Sequence, residues 1–227
     1  MDFIKGEVLL FNKPYGWTSF QLVNKIRFTI KHERKINKIK VGHAGTLDPL
    51  ATGLVIICTG QETKNIERYQ SLVKEYIATF RLGATTPSFD LETEIDGSFP
   101  FEHVNEEMLK EVLTLYTGEI LQEPPAFSAK FVDGVRAYKY ARKGKDVKLS
   151  GKEITVHKLE VLNFNLPYVT LRIECSKGTY IRALVRDIGR SLHSGAHLTD
   201  LVRRRIGDFH VENAFNIEEF ERNLVFL

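Results

Sequence analysis

The stretch VGHAGTLDPLATGLVIICTG, residues 41–60, contains residue types that could do chemistry. It places one carboxylate, Asp48, among glycine and proline turns and directly before an apolar run. An aspartate is ionised at neutral pH, so it could attack an electron-poor carbon or balance positive charge that develops there. An Asp before Pro more often only shapes a turn. These residues alone leave both roles open.

Phosphate-loop, metal and disulfide chemistry all fit the sequence poorly. GHAGTLDPLATG lacks the Gly-Lys-Ser/Thr ending of a phosphate-binding loop. His43 and Asp48 lack a third ligand at a usual spacing, so we expect no metal site. Cys58 and Cys175 each lie within apolar alternation, where cysteine behaves as a small buried hydrophobe. We therefore expect neither a disulfide nor a zinc site.

The composition is that of a globular protein, with 43% hydrophobic and 27% charged residues among 227. No uninterrupted apolar run approaches the roughly 20 residues of a membrane helix. The N-terminus lacks the pattern of a secretion signal. We expect a cytoplasmic protein without a membrane segment.

The net charge is only +3, but the basic residues are clustered. The clusters are RFTIKHERKINKIK (27–40), RAYKYARKGKDVK (136–148) and LVRRR (201–205). Basic blocks with aromatic residues between them suit a polyanion whose bases can stack. Each block taken alone could equally be a solvated face.

Periodicity and turn residues predict the elements that must position these side chains. Apolar or alternating runs predict strands at GEVLLF, LVIIC, KEYIATFRLG, KEITVHKLEVLNF and YVTLRIEC. Capping residues predict helices that begin after Thr18 or Ser19 and after Asn105. A Pro-Pro pair, an Asp-Gly turn and a short basic helix predict a projecting excursion over about 122–152. We predict a single α+β domain over 1–227 with mixed, mostly antiparallel strands.

The segment SKGTYIRALVRDIGRSL predicts a further helix. Its apolar face consists of Ile181, Leu184, Val185, Ile188 and Leu192. Arg182 and Arg186 lie four residues apart on a different face of that helix. Arginines in this arrangement are ordinarily exposed, so the spacing alone assigns them no chemical role.

Five long motifs follow one another along the chain: NKPYGWTS, GHAGTLDPLATGLVIICTGQETK, KEYIATFRLGATTPSFD, PPAFSAKFVDGVRAYKYARKG and CSKGTYIRALVRDIG. Block by block they resemble the bacterial TruB family of tRNA pseudouridine synthases, over roughly residues 6–207. The resemblance implies the pseudouridine synthase fold. It also implies isomerisation of uridine-55 in the T-arm of tRNA to pseudouridine, without cofactor or metal.

The resemblance further implies roles for individual residues. Asp48 matches the essential carboxylate, and Arg182 matches the arginine expected to pair with it. Asp90 matches an aspartate that would hold Arg182 from the other side. Tyr76 matches an aromatic residue expected to stack on the extruded base and to help remove the proton from C5.

Contacts with the uracil and the RNA follow from the same resemblance. Tyr180 and Leu201 match pocket residues that would contact the uracil, and His43 matches an RNA-contacting histidine. Lys13 and Lys64 match basic positions near the pocket or the phosphates, where a merely solvated lysine is the alternative.

The excursion at about 122–152 resembles the family's thumb, which closes on the T-loop. Its Phe127 and Tyr138 would stack on RNA bases. We expect no C-terminal PUA domain, no obligate protein partner, and a monomer. The basic segment KHERKINKIK, residues 31–40, is longer than the family pattern. Our hypothesis is that it contacts tRNA phosphates and so partly replaces the acceptor-stem contacts that a PUA domain makes in relatives.

Two alternatives compete with a stand-alone enzyme. The first is a tRNA-binding folding helper whose chemistry is incidental or lost, but Asp48, Tyr76 and Arg182 are all present. The second is an RNA-guided pseudouridine synthase of the archaeal and eukaryotic type, which shares the LDP loop. That type relies on partner proteins and a PUA domain.

Overall fold

The chain forms two compact units in a computed structural model that describes residues 1–145 and 149–226. The first unit comprises Met1–Tyr76 and Leu201–Leu227, and the second comprises Ile77–Asp200. The chain therefore leaves the first unit once and returns to it. No helix within the described ranges is long and apolar enough to cross a membrane.

The first unit begins with the strands and helices that flank the loop of residues 44–51. Its elements up to residue 71 are β1 (Val8–Lys13), α1 (Ser19–Glu33), β2 (Val41–His43), β3 (Thr52–Thr59), a 3-10 helix (Gly60–Asn65) and α2 (Ile66–Ser71). Strand β3 pairs antiparallel with both β1 and β2. The apolar run LVIIC lies within β3 and is completely buried, as its composition predicts.

Helix α1 begins where the sequence predicts it. The Thr18 side chain accepts a hydrogen bond from the Gln21 amide, and the Gln21 side chain accepts one from the Thr18 amide. This reciprocal capping satisfies two amides that the helix leaves without carbonyl partners. It fixes the start of α1 directly after the turn at Pro14 and Gly16.

The second unit contains the long hairpin and the excursion. Its elements are β4 (Lys74–Leu82), which begins in the first unit, β5 (Ala84–Thr85), β6 (Gly97–Ser98), α3 (Glu106–Leu115), β7 (Gly118–Gln122), β8 (Phe131–Val132), β9 (Val135–Arg136), α4 (Ala137–Ala141), β10 (Lys152–Asn165), β11 (Tyr168–Cys175) and α5 (Ile181–Ser191). Strand β10 pairs antiparallel with β7 and β11, and Asn105 caps α3 as predicted. The five predicted apolar residues of α5 are all buried.

The chain returns to the first unit along a strand that the residue pattern does not predict. The last elements are β12 (Ala196–Ile206), β13 (Phe209–His210), a 3-10 helix (Val211–Asn213) and α6 (Ile217–Phe226). Strand β12 runs parallel to β3, with Val202 opposite Thr52 and Arg203 opposite Gly53. Burial alternates along the run LVRRR: Leu201 and Arg203 are buried, whereas Arg204 is exposed.

Strand pairing in both units agrees with the predicted fold class. In the first unit the strand order is β1-β3-β12, and in the second it is β12-β4-β11-β10-β7. The sheet is mixed and mostly antiparallel, and helices flank it, so the α+β prediction is confirmed. That the two units act as one catalytic domain over residues 1–227 stays a prediction.

Candidate functional site

Asp48 lies in the loop between β2 and β3 of the first unit, where its side chain is half-buried. Its carbonyl accepts a hydrogen bond from the Ala51 amide at 3.1 Å, which closes a turn. Leu47, immediately before it, exchanges two hydrogen bonds with the Ser19 hydroxyl, at 2.9 and 3.0 Å. Pro49, immediately after it, accepts from the Gly16 amide at 2.9 Å. The main chain on both sides of Asp48 is therefore attached to residues 16–19, the segment that leads into α1.

Lys13 lies in the interior of the same unit, with no exposed surface. Its Nζ donates to the carbonyls of Pro14, Trp17 and Pro49, at 2.9, 2.6 and 3.2 Å. Burial lowers the pKa of Lys13 to about 8, and the charge of Asp48 opposes that shift. An ammonium that donates to three carbonyls anchors the main chain here, and the alternative of a solvated lysine does not fit a residue with no exposed surface. The expected role of Lys13 near the pocket or the phosphates stays a prediction.

Arg203 is a second buried cation beside this loop, and sequence reasoning missed it. Its guanidinium is 1% exposed and donates to the carbonyls of Gly45, Thr46 and Leu54 at 3.2, 3.3 and 2.7 Å. The alternation of buried and exposed residues along β12 could have indicated its burial. Three consecutive arginines conceal that alternation in the sequence, because they have the same polarity.

The other predicted site residues of the first unit lie at different depths. His43 ends β2 and is half-buried; burial is the main reason that its pKa is lowered, so its imidazole is neutral at pH 7. Tyr76 and Leu201 are both buried. Lys64 is exposed on the 3-10 helix after β3.

In the second unit, Arg182 brings together three segments that are distant in sequence. Its guanidinium is buried and lies 3.5 Å from an Asp90 carboxylate oxygen. It also donates to the carbonyls of Ser88 and Phe127, at 3.0 and 2.9 Å. The structure therefore places Arg182, Asp90 and Phe127 in one cluster. That cluster joins helix α5, the loop after β5 and the start of the excursion.

Arg186 lies one turn further along α5 and contacts the same two segments. It forms two hydrogen bonds with Asp187 and donates to the Glu123 carbonyl at 3.2 Å. Its guanidinium lies 4.9 Å from the centre of the Phe89 ring. Although its spacing suits an exposed face, Arg186 is buried like Arg182. Two cations of one helix thus hold the first residues of the excursion.

The excursion carries the remaining predicted residues. Tyr138 lies on α4, with the Arg142 guanidinium 5.3 Å from the centre of its ring, and Arg142 forms an exposed ion pair with Glu92. The predicted Asp-Gly turn joins β8 and β9. Tyr180 is half-buried just before α5, where its backbone exchanges two hydrogen bonds with the Gln122 side chain. Residues 146–148 of the predicted excursion lie outside the described residues.

Replacing Arg182 with methionine is expected to lower the free energy of unfolding by about 3–5 kcal/mol, because the change breaks a buried ion pair. It also removes the donors to two main-chain carbonyls. Arg190→Met, on the same helix but with a side chain that is 65% exposed, should change stability by less than about 0.5 kcal/mol. Urea denaturation of both variants measures the difference. Similar losses in the two proteins would contradict a stabilising role for the cluster.

A metal site is not evident within residues 1–145 and 149–226. That part of the chain has no group of three or more His, Cys, Asp or Glu side chains that could hold an ion. Cys58 and Cys175 are both buried, as the apolar alternation predicts, and neither is part of a disulfide. Burial is the main reason that the pKa of Cys58 is raised to about 12, so its thiol is not a ready nucleophile.

Comparison with known proteins gives consistent likenesses along the chain. The family model described as TruB family pseudouridylate synthase, N-terminal domain, matches residues 32–181. A protein of Phocaeicola vulgatus named tRNA pseudouridine synthase B is 58% identical over 220 residues, which cover 97% of this chain and 94% of that protein. A protein of the same name from Flavobacterium johnsoniae is 50% identical over 224 residues and covers 98% of both chains.

Solved structures show a similar backbone. One chain in the crystal structure of a Cbf5-Nop10-Gar1 complex matches with a TM-score of 0.72 and 27% identity, over 99% of this chain and 56% of that one. A chain of an H/ACA RNP bound to a substrate RNA containing 2'-deoxyuridine matches with a TM-score of 0.70 and 25% identity, over 99% and 55%. This chain thus spans little more than half the length of those solved chains.

Proposed function

Since the chain belongs to the TruB family of pseudouridylate synthases and has their fold, we propose that it converts uridine-55 in the T-loop of tRNAs to pseudouridine. The names of relatives with 50–58% identity support tRNA as the substrate. The observation that carries the proposal is the loop of Asp48, whose main chain is fixed by Ser19, Lys13 and Arg203. A fixed loop can hold a carboxylate against a sugar carbon.

The proposed reaction exchanges one bond to the ribose for another. The bond between N1 of uracil and C1′ of the ribose breaks, and the base leaves with the electron pair. After the base turns, C5 bonds to C1′ and loses its proton to water, and N1 takes up a proton, so the product is an isomer of uridine. Asp48 either attacks C1′ or removes a proton from the neighbouring sugar carbon, and both routes require its carboxylate. No atom is added and no oxidation state changes overall, so the reaction itself needs no cofactor.

The proposal gives the other site residues supporting roles. Arg182 serves as the counterion of Asp48, and Asp90 lies 3.5 Å from that guanidinium. Tyr76, Tyr180 and Leu201 contact the uracil. His43 contacts the RNA as a neutral imidazole.

Uridine-55 must leave the stacked T-loop before the reaction, and extrusion of a base costs a few kcal/mol. We propose that the excursion offsets this cost through stacking on Phe127 and Tyr138, at about 1–3 kcal/mol for each stacked base. Tyr138 and Arg142 already present an aromatic ring next to a guanidinium. The protein is proposed to act in this way as a cytoplasmic monomer without an obligate protein partner.

The proposed target is tested with tRNA transcripts tritiated at uracil C5. The wild-type protein should release tritium to water from a transcript with uridine at position 55, because C5 exchanges its proton for the bond to C1′. A matched transcript with cytidine at position 55 should release none. Equal release from the two transcripts would show that another uridine is the target.

The basic segment 31–40 is proposed to contact tRNA phosphates, because Lys35, Lys38 and Lys40 are all exposed. Changing these three lysines to glutamine should flatten the salt dependence of tRNA affinity. The slope of log K against log salt should change by about one for each phosphate that is no longer neutralised. Filter binding over a range of salt concentrations measures this slope.

The control for that experiment is Lys110→Gln combined with Lys158→Gln. These lysines are also exposed, but each already pairs with a glutamate. The control should keep the wild-type slope. An unchanged slope in the triple variant would reject phosphate contacts by the segment.

A further inference from the structure

Arg203 is a buried charge that takes no part in the bond changes of the proposed reaction. We propose that Arg203 is a positioning residue for Asp48, which holds the loop in the one shape that presents the carboxylate to the sugar. This inference rests on the proposed function. It assigns to Arg203 no contact with the substrate.

The guanidinium bonds to both ends of the loop. Gly45 and Thr46 precede Asp48, whereas Leu54 follows it in β3, and Arg203 donates to the carbonyl of each. One rigid, planar group therefore joins the two ends. A lysine at this position could not make the same three bonds, because they come from three different nitrogens in one plane and lysine has a single donor atom.

The backbone of Arg203 is fixed as firmly as its side chain. Arg203 lies opposite Gly53 in the parallel pairing of β12 with β3. A Cβ atom on Gly53 would lie 2.3 Å from the Arg203 carbonyl oxygen, so the two strands approach as closely as a glycine allows. The guanidinium is therefore held at a defined distance from the loop.

The burial of a positive charge at Arg203 indicates that this residue has a role beyond packing. Its three hydrogen-bond partners within the described residues are neutral carbonyls, and burying a cation without a carboxylate is unfavourable by several kcal/mol. Burial is the main reason that the pKa values of Lys13 and His43 are lowered, and the charge of Arg203 lowers both further. An apolar side chain could fill the same volume but could not bond the loop.

Binding of RNA phosphates is excluded as the role of Arg203, because the residue is only 1% exposed. Arg204, the next residue, is exposed and pairs with Glu212. The two neighbours therefore form a matched pair for mutation. They have the same type of side chain on the same strand, but only one of them bonds the loop of Asp48.

The test compares Arg203→Met with Arg204→Met in three measurements. We expect Arg203→Met to slow single-turnover tritium release about 100-fold, since a displacement of 1 Å can have that effect. Its affinity for tRNA should stay within about twofold of wild type, because Arg203 itself does not touch the RNA. Hydrogen exchange without RNA should become faster in residues 44–54. Arg204→Met should leave release and exchange unchanged.

The outcomes separate positioning from general stability. Release at the wild-type rate from folded Arg203→Met would overturn the proposal, as would a rate loss that is matched by an equal loss of tRNA affinity. If Arg203→Met does not fold, Arg203→Lys decides: it should bind tRNA normally, release tritium more slowly than wild type, and show faster exchange at 44–54. Wild-type rates in Arg203→Lys would overturn the proposal. A wild-type protein that releases no tritium overturns the proposed function itself, a result distinct from any difference between variants of an active enzyme.

Discussion

Asp48→Asn is expected to abolish tritium release from C5-labelled tRNA while tRNA binding is retained. Asparagine has nearly the same shape as aspartate but lacks its charge, so it can neither attack a sugar carbon nor remove a proton. We expect a loss of about 10⁴-fold or more, as for other residues that act directly in covalent catalysis. Single-turnover tritium release and filter binding measure the two properties.

The loop should keep its shape in this variant. The hydrogen bonds that fix it involve main-chain groups of Leu47, Asp48 and Pro49, which the substitution leaves in place. Asp208→Asn is the matched control, since Asp208 is an aspartate in the same unit that lies in the turn between β12 and β13. It should release tritium at the wild-type rate.

Turnover by the asparagine variant would refute the assignment of the reactive carboxylate. Mass spectrometry must first exclude deamidation, which would restore the aspartate. Asp48→Ala, in which no deamidation can occur, should be equally inactive. A wild type that binds tRNA but releases no tritium would instead favour the folding helper.

Gly53→Ala is expected to cause a large loss of stability for the addition of a single methyl group. Gly53 has a φ of +105°, which side-chain-bearing residues rarely adopt. The added Cβ would lie 2.3 Å from the carbonyl oxygen and 2.7 Å from the amide nitrogen of Arg203. Both are main-chain atoms of the paired strand, so relief requires β3 and β12 to separate. We expect the free energy of unfolding to fall by about 3 kcal/mol or more.

Gly16→Ala separates the collision from the backbone strain. Gly16 also has a positive φ, +80°, but a Cβ atom on this residue would meet nothing within 4 Å. We expect that variant to lose about 1 kcal/mol, from strain alone. Urea denaturation of the two proteins gives the comparison. Equal losses would show that the approach of Gly53 to Arg203 is not tight.

Local signals explain why much of the fold could be predicted from the sequence. Thr18 and Asn105 cap helices through bonds to residues three positions away, so a short window contains the whole interaction. The hairpin of β10 and β11 has its alternation and its turn in one continuous stretch. The apolar face of α5 repeats at helical spacing within a single segment.

The features that could not be predicted depend on contacts between residues that are far apart in the sequence. Strand β12 escapes prediction because three adjacent arginines mask its alternation, and β3, with which it pairs, is far away in the sequence. Lys13 and Arg203 bond to main-chain carbonyls, which every residue carries and no sequence motif marks. Burial of Arg186 depends likewise on Glu123 and Phe89, which reach it only in the folded chain.

The candidate site likewise combines residues that the sequence identifies with contacts that only the folded chain forms. The sequence identifies Asp48, Asp90 and Arg182 by their types and their resemblance to a family. It does not show that Arg182 donates to the Phe127 carbonyl, because that bond uses the main chain of Phe127 and not its aromatic ring.

The excursion is held by different kinds of contact at its root and further out. Its root is held by hydrogen bonds from two buried arginines, to the carbonyls of Glu123 and Phe127. Further out, Arg142 and Glu92 form an exposed ion pair, a type of contact that contributes less than about 1 kcal/mol and weakens with salt. Raised salt should therefore weaken the contact at Arg142 while the hydrogen bonds of the two buried arginines at the root are kept.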